Sequence, residues 1–160
     1  MTAGIGSAVT GTVVGLLNGT GGVNAGLAAL SAGAVAAGAV RAQNVSAELV
    51  EKANLVQYPA VQVYCEKLVN SLTEKFRSFS GTAQMAIEIR HSQDRLEGLQ
   101  HSLEQYADAA TQVLTLSRGD WGSGMFYGGG YQVTFGAVKK GGKNFIQVAK
   151  VTFEIGVSRS

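Results

Sequence analysis

The chain has 160 residues, 13 of them basic and 11 acidic, with a formal net charge of +2, one Cys and one Pro. That length suits one domain able to bury its own core, and so weak a charge lacks the basic face of a typical nucleic-acid binder. The single Cys65 excludes an intramolecular disulfide framework and any cysteine-based zinc cluster.

All 24 charged residues (13 + 11) fall in residues 41–160, while residues 1–40 hold ten Gly and ten Ala. No Lys or Arg precedes Arg41, so the basic start of a secretory signal is missing. Residues 18–24 break the stretch with Asn and Gly, and the remaining piece, Ala25–Val40, is too short and too poor in large side chains to span a bilayer. Residues 1–44 therefore read as a Gly/Ala-rich arm, uncharged as far as Val40, helical or extended, and 45–160 as the folded body. A membrane role is not expected.

Within the arm, Ile5, Val9, Val13 and Leu16/Leu17 recur at helical spacing and predict a helix of about three turns, stopped by Asn18-Gly19 in the left-handed conformation. Ala25–Val40 is a candidate second helix of small residues, and 46–53 a short helical turn opened by Ser46. The period then becomes two. In Ala60–Cys65, Val61, Val63 and Cys65 share a face; in Thr82–Arg90, Ala83, Met85, Ile87 and Ile89 do. The two segments predict a hairpin with a polar connection around 70–73. Ser92 reads as an N-cap and Asp94 as first-turn charge. Leu96, Leu99, Leu103, Tyr106, Ala110, Val113 and Leu114 then line one face of an amphipathic helix ending near Leu116, with Glu97, Glu104 and Asp108 on the solvent side. Residues 117–130 read as a glycine-rich loop holding Trp121, Phe126 and Tyr127. Tyr131–Ala137 alternates as a strand, Lys139-Lys140-Gly141-Gly142-Lys143 reads as a tight turn, and 145–157 as a long final strand. The predicted class is α+β: a mostly antiparallel four-stranded sheet in the order β-β-α-β-β, one long amphipathic helix packed on it, and the N-terminal helix.

Catalytic spacing is not found. Glycines 19, 21 and 22 start a dinucleotide-like pattern, but Asn24 stands where its third Gly belongs. Gly6 and Gly11 have P-loop spacing, but Thr12 stands where a Lys must reach phosphate. His91 and His101 read as partly exposed histidines and Cys65 as a small core residue. No catalytic residue, metal ligand or cofactor is expected. The candidate contact residues are the aromatics Trp121, Phe126 and Tyr127, the cations Lys139, Lys140 and Lys143, and Lys75 and Arg77 on the first hairpin connection.

"YPAVQVYC" at 58–65 resembles the opening strand of the phage tail terminator family, and "GTAQMAIEIRHS" at 81–92 its second strand. "DRLEGLQHSLEQYADAATQVL" at 94–114 resembles its long helix, and "YQVTFGAVKKGGKNFIQVAKVTFEIGVS" at 131–158 its closing hairpin. The resemblance covers about residues 56–160 and extends to head–tail neck connectors of the same fold. It implies a non-enzymatic virion protein of the phage neck, assembled in the host cytoplasm. Such a protein forms a homo-oligomeric ring, commonly a hexamer, that ends the tail tube. Its implied partners are further copies of itself, the tail tube protein and the head–tail connector or stopper protein. Genomic DNA passes through the lumen without specific binding. Tail completion and tube proteins share the fold and are the alternative, followed by a small nucleic-acid-binding module. Residues 18–40 have no counterpart in the family and are expected to pack against a neighbouring subunit or partner, where an unpaired charge is costly.

Overall fold

The computed structural model describes residues 4–19, 22–23, 40–42, 60–141 and 143–160. The expected small-residue helix over 25–40, Val40 excepted, and the expected turn over 46–53 lie outside the described residues.

Helix α1 spans Ile5–Asn18 and buries Ile5, Val9, Val13 and Leu17, the i, i+4 row that its sequence shows. Thr10, also buried, turns its hydroxyl back to donate to the Gly6 carbonyl at 2.7 Å, which removes an otherwise uncompensated polar group. Gly6 itself sits against the strand that carries Cys65: a Cβ there would lie 3.3 Å from the Cys65 Cβ. The helix ends at Asn18 as its sequence predicts, but Gly19 is extended (φ −73°) and not left-handed.

Among the described residues seven strands form one sheet: β1 (Val40–Ala42), β2 (Ala60–Asn70), β3 (Phe79–Gln93), β4 (Gly119–Gly122), β5 (Met125–Phe135), β6 (Lys139–Gly141) and β7 (Asn144–Arg159). Their order is β1-β2-β3-β7-β5-β4, with β6 also paired to β7. β1 runs parallel to β2, and every other pairing is antiparallel. The α+β class, the mostly antiparallel sheet and the two helices match the sequence reading; the four-stranded count and the β-β-α-β-β order do not. The four long strands are the ones predicted. The three extra strands hold only three or four residues each, too few for an alternation to show.

Helix α2, Leu99–Leu116, packs on β7, β3 and β5, and α1 lies beside it over β2 and β1, so both cover the same face. Leu103, Ala107, Ala110, Val113 and Leu114 of α2 meet the odd-numbered rows of the sheet: Ala83, Met85, Ile87 and Ile89 of β3, and Ala149, Val151, Phe153, Ile155 and Val157 of β7. Ile5, Val9, Val13 and Leu17 of α1 belong to the same core. The helix starts later than its sequence predicts. Ser92 is a strand residue, because β3 runs on to pair Gln93 with Phe145, and cross-strand pairing there outweighs a local cap. The intervening turn is tied by the Gln93 side-chain amide, which donates to the carbonyls of Arg95 at 2.8 Å and Glu97 at 2.7 Å. The turn closes at Gly98 (φ 78°), a left-handed position that suits Gly. Leu96 is thereby left exposed, off the helix face predicted for it.

Candidate interaction surfaces

The connection between β2 and β3, residues 71–78, is longer than the polar turn expected around 70–73, and it is closely tied. The Asn70 side chain accepts from the amides of Leu72 at 3.3 Å and Ser80 at 3.0 Å and donates to the Ser78 carbonyl at 3.1 Å. The Ser80 hydroxyl accepts from the Glu74 amide at 2.9 Å. Glu74 accepts from Ser158 at 2.6 Å and pairs with Arg77 at 3.2 Å, and Arg77 donates to the Ser160 hydroxyl at 3.2 Å. Of the two cations predicted here, Arg77 therefore fastens the connection to the end of β7, while Lys75 stands exposed. Onto this frame the chain places two apolar side chains in left-handed backbone, Leu72 (φ 49°) and Phe76 (φ 69°). Phe76 is fully exposed, at 102 %. A Phe in that conformation costs about 1–3 kcal/mol of strain and gains no burial within its own chain. Phe76 carries no signal in the sequence, because nothing in its neighbourhood announces a left-handed residue.

The aromatic segment is not the loop its glycines suggested. β4 and β5 form a tight hairpin through Ser123-Gly124, with Ser123 at φ 54° and Gly124 at φ 79°. A Cβ on Gly124 would strike the Ser158 carbonyl, which here accepts no side chain so near. The three aromatics separate accordingly. Tyr127 is buried, its ring centroid 5.8 Å from Trp121 and 5.7 Å from Phe153, and its hydroxyl donates to the Gly130 carbonyl at 3.2 Å. Trp121 is half-buried against the same core and donates from Nε1 to the Ser117 carbonyl at 2.6 Å. Both serve their own fold; Phe126, 55 % exposed, is the one of the three facing outward.

Lys140 and Lys143 flank the β6–β7 turn, exposed, with Lys139 beside them on β6 opposite Ile146. The sheet face away from the helices is polar and internally bonded. Lys150 pairs with Glu66, whose carboxylate also accepts from the Gln84 amide at 2.9 Å, and Tyr64 donates to Glu88 at 3.1 Å. Burial, and after it the Glu88 charge, push the Tyr64 hydroxyl up to about 12. The Glu66 hydrogen bond raises Lys150. On the same face a shallow groove of about 680 Å³ runs over Gly128, Gly130 and Gly156, beside Phe126, Gln132 and Thr152.

The residues weighed for chemistry do not converge. His101 is exposed on α2, and His91 lies on β3 with its ring 5.3 Å from Tyr106. Burial lowers the His91 pKa. Burial raises the Cys65 thiol, which holds it in the neutral form. Glu97, in the turn before α2, and Glu104 and Asp108 on α2 face solvent. Among the described residues no three His, Cys, Asp or Glu side chains gather as a metal site would require, and no helix is long and apolar enough to cross a membrane. No protein-family model matches the chain, and no curated protein matches it either.

Proposed function

We propose that this chain is a structural virion subunit of the phage neck: a non-enzymatic protein whose copies form a ring, on the sequence resemblance a hexamer. That ring ends the tail tube and joins it to the head connector, with genomic DNA passing through its lumen. The observation that carries an assembly role is the tied 71–78 connection holding Phe76 fully exposed at φ 69°. A strained, rigid, solvent-facing aromatic is best accounted for by a partner that buries it. Support also comes from the one-sided architecture, in which helices cover one sheet face and leave the other polar. Such a subunit offers unlike surfaces to unlike neighbours, as a ring and its axial partners require. The finer identity as terminator rests on the motif order over residues 56–160.

Native mass spectrometry and negative-stain microscopy of the purified protein, alone and with tail tubes, test the proposal. A ring is expected, and Phe76→Ser is expected to keep the fold while losing attachment to a neighbouring component. A protein that stays monomeric even with tail tubes present overturns it. A virion density map placing the subunit inside the tube would favour a tube or completion protein.

A further inference from the structure

The sheet has two incompletely paired edges. On one side β1 covers only Val61–Val63 of β2, and Tyr64–Asn70 has no strand beside it among the described residues. On the other side β4 covers only Met125–Tyr127 of β5, and Gly128–Phe135 is bare among the described residues in the same way. Each edge is thus half covered, at opposite ends of the sheet. Leu68, Val69, Tyr131 and Phe135, all large apolar side chains left exposed, sit on these two bare halves.

We propose that the bare half of β2 in one copy pairs antiparallel with the bare half of β5 in the next, so that the sheet continues from subunit to subunit. This rests on the ring reading above and specifies its lateral joint. Three observations support it. First, β2, β3, β7 and β5 alternate in direction, so β2 and β5 run oppositely. A neighbour related by rotation about an axis along the strands keeps strand directions and therefore presents its β2 antiparallel to β5. Second, the two notches fit. Through the register, Leu68 is level with Ala83 and Ile155, whereas Tyr131 is level with Phe153. Setting Leu68 of one copy opposite Tyr131 of the next shifts the copies by two residues, about 7 Å along the strands. That offset keeps helix-side residues opposite helix-side residues, fills both notches, and leaves β1 and β4 as stops at the ends of the joint. A stagger of this kind is what a closed sheet needs. Third, the edges differ chemically. β2 carries an irregularity at Glu66 and a charge at Lys67, devices that discourage indiscriminate pairing. The β5 half lies in a charge-free run, residues 121–138, and needs a specific partner to cover it.

The test uses full-length protein with Cys65→Ala to remove the native thiol. Adding Leu68→Cys and Tyr131→Cys together places two Cβ atoms opposite each other at disulfide reach. Oxidation should give a covalent ladder ending at the subunit number found by native mass spectrometry, and neither single variant should cross-link. As an independent measure, Leu68→Lys and Tyr131→Lys, both at exposed positions, should each convert rings to monomers with unchanged circular dichroism. A ring of native mass that gives no ladder and survives both lysines overturns the edge joint while leaving the ring standing. Dimers from either single cysteine point to a two-fold joint and also overturn it. A wild-type monomer with tail tubes present removes the ring reading and the joint together.

Discussion

Replacing Tyr127 by Ala tests the division of labour in the β4–β5 hairpin. Tyr127 is 1 % exposed and packs between Trp121 and Phe153. Truncating a buried aromatic costs about 3–5 kcal/mol through lost transfer energy and the cavity left behind. About 1 kcal/mol of that belongs to the hydroxyl, whose 3.2 Å bond to the Gly130 carbonyl steadies the glycine bulge of β5. Tyr127→Phe should isolate that part. For a domain of this size the full truncation corresponds to a fall in Tm of roughly 6–20 °C. Phe126, its chain neighbour and 55 % exposed, should change stability by less than about 0.5 kcal/mol when replaced by Ala. Urea unfolding of the three variants, compared at constant m-value, measures all of this. If Tyr127→Ala cost under about 1 kcal/mol, or Phe126→Ala cost as much as Tyr127→Ala, the assignment of Tyr127 to the core would be wrong.

His91 titrates below its ordinary value because burial disfavours the imidazolium. Its folded-state pKa is depressed, so its contribution to stability is present above the unfolded value of 6.5 and is lost as pH falls through the folded value. Tm should therefore decline on acidification, and His91→Asn should flatten that limb relative to wild type. Lys150 shifts in the opposite sense: its pairing with Glu66 stabilises the fold below the unfolded value of 10.5 and is lost as pH rises through the folded value. A double-mutant cycle with Lys150→Met and Glu66→Gln should give a coupling of about 1 kcal/mol, modest because both side chains keep some exposure to water; no coupling would show the pair to be incidental. The Cys65 thiol, raised by burial, should react with a thiol-disulfide reagent at neutral pH much more slowly in native than in urea-unfolded protein, and equal rates would contradict its placement under α1.

Strong periodicity was legible in the sequence, and position along the register was not. The alternation in Ala83–Ile89 and Ala149–Val157 gave the two central strands with the correct face toward the helices, because each strand has one buried and one polar side. The row Leu99, Leu103, Ala110, Val113 gave α2 for the same reason, and Ile5, Val9, Val13 gave α1. What failed was decided by partners far away in sequence. Ser92 looks like a helix cap until Ile146 stands opposite it on β7. Trp121 and Tyr127 look like projecting aromatics until β4 folds onto β5 and turns them into the core. Gln147, buried on the helix side, shares the face of Ala149 and Val151; it is tolerated because its amide donates to the Gly136 carbonyl at 3.0 Å. No local pattern discloses that partner.

The same contrast separates the two kinds of exposed apolar residue in the fold. Side chains such as Leu96 and Leu116 stand singly beside a helix end, where isolated apolar exposure is ordinary. Phe76 and Leu72 are different, because a lattice of hydrogen bonds from Asn70, Ser80 and Glu74 holds them outward in backbone that disfavours them. Removing that lattice should let the connection relax and fold the Phe toward its own sheet. Asn70→Ala is the direct test. It should leave the core strands protected from hydrogen exchange, raise exchange at residues 72–80, and weaken any contact made through Phe76. Unchanged exchange across 72–80 would mean that the Asn70 side chain does not hold the connection, and the case for a built contact surface would lose its structural basis.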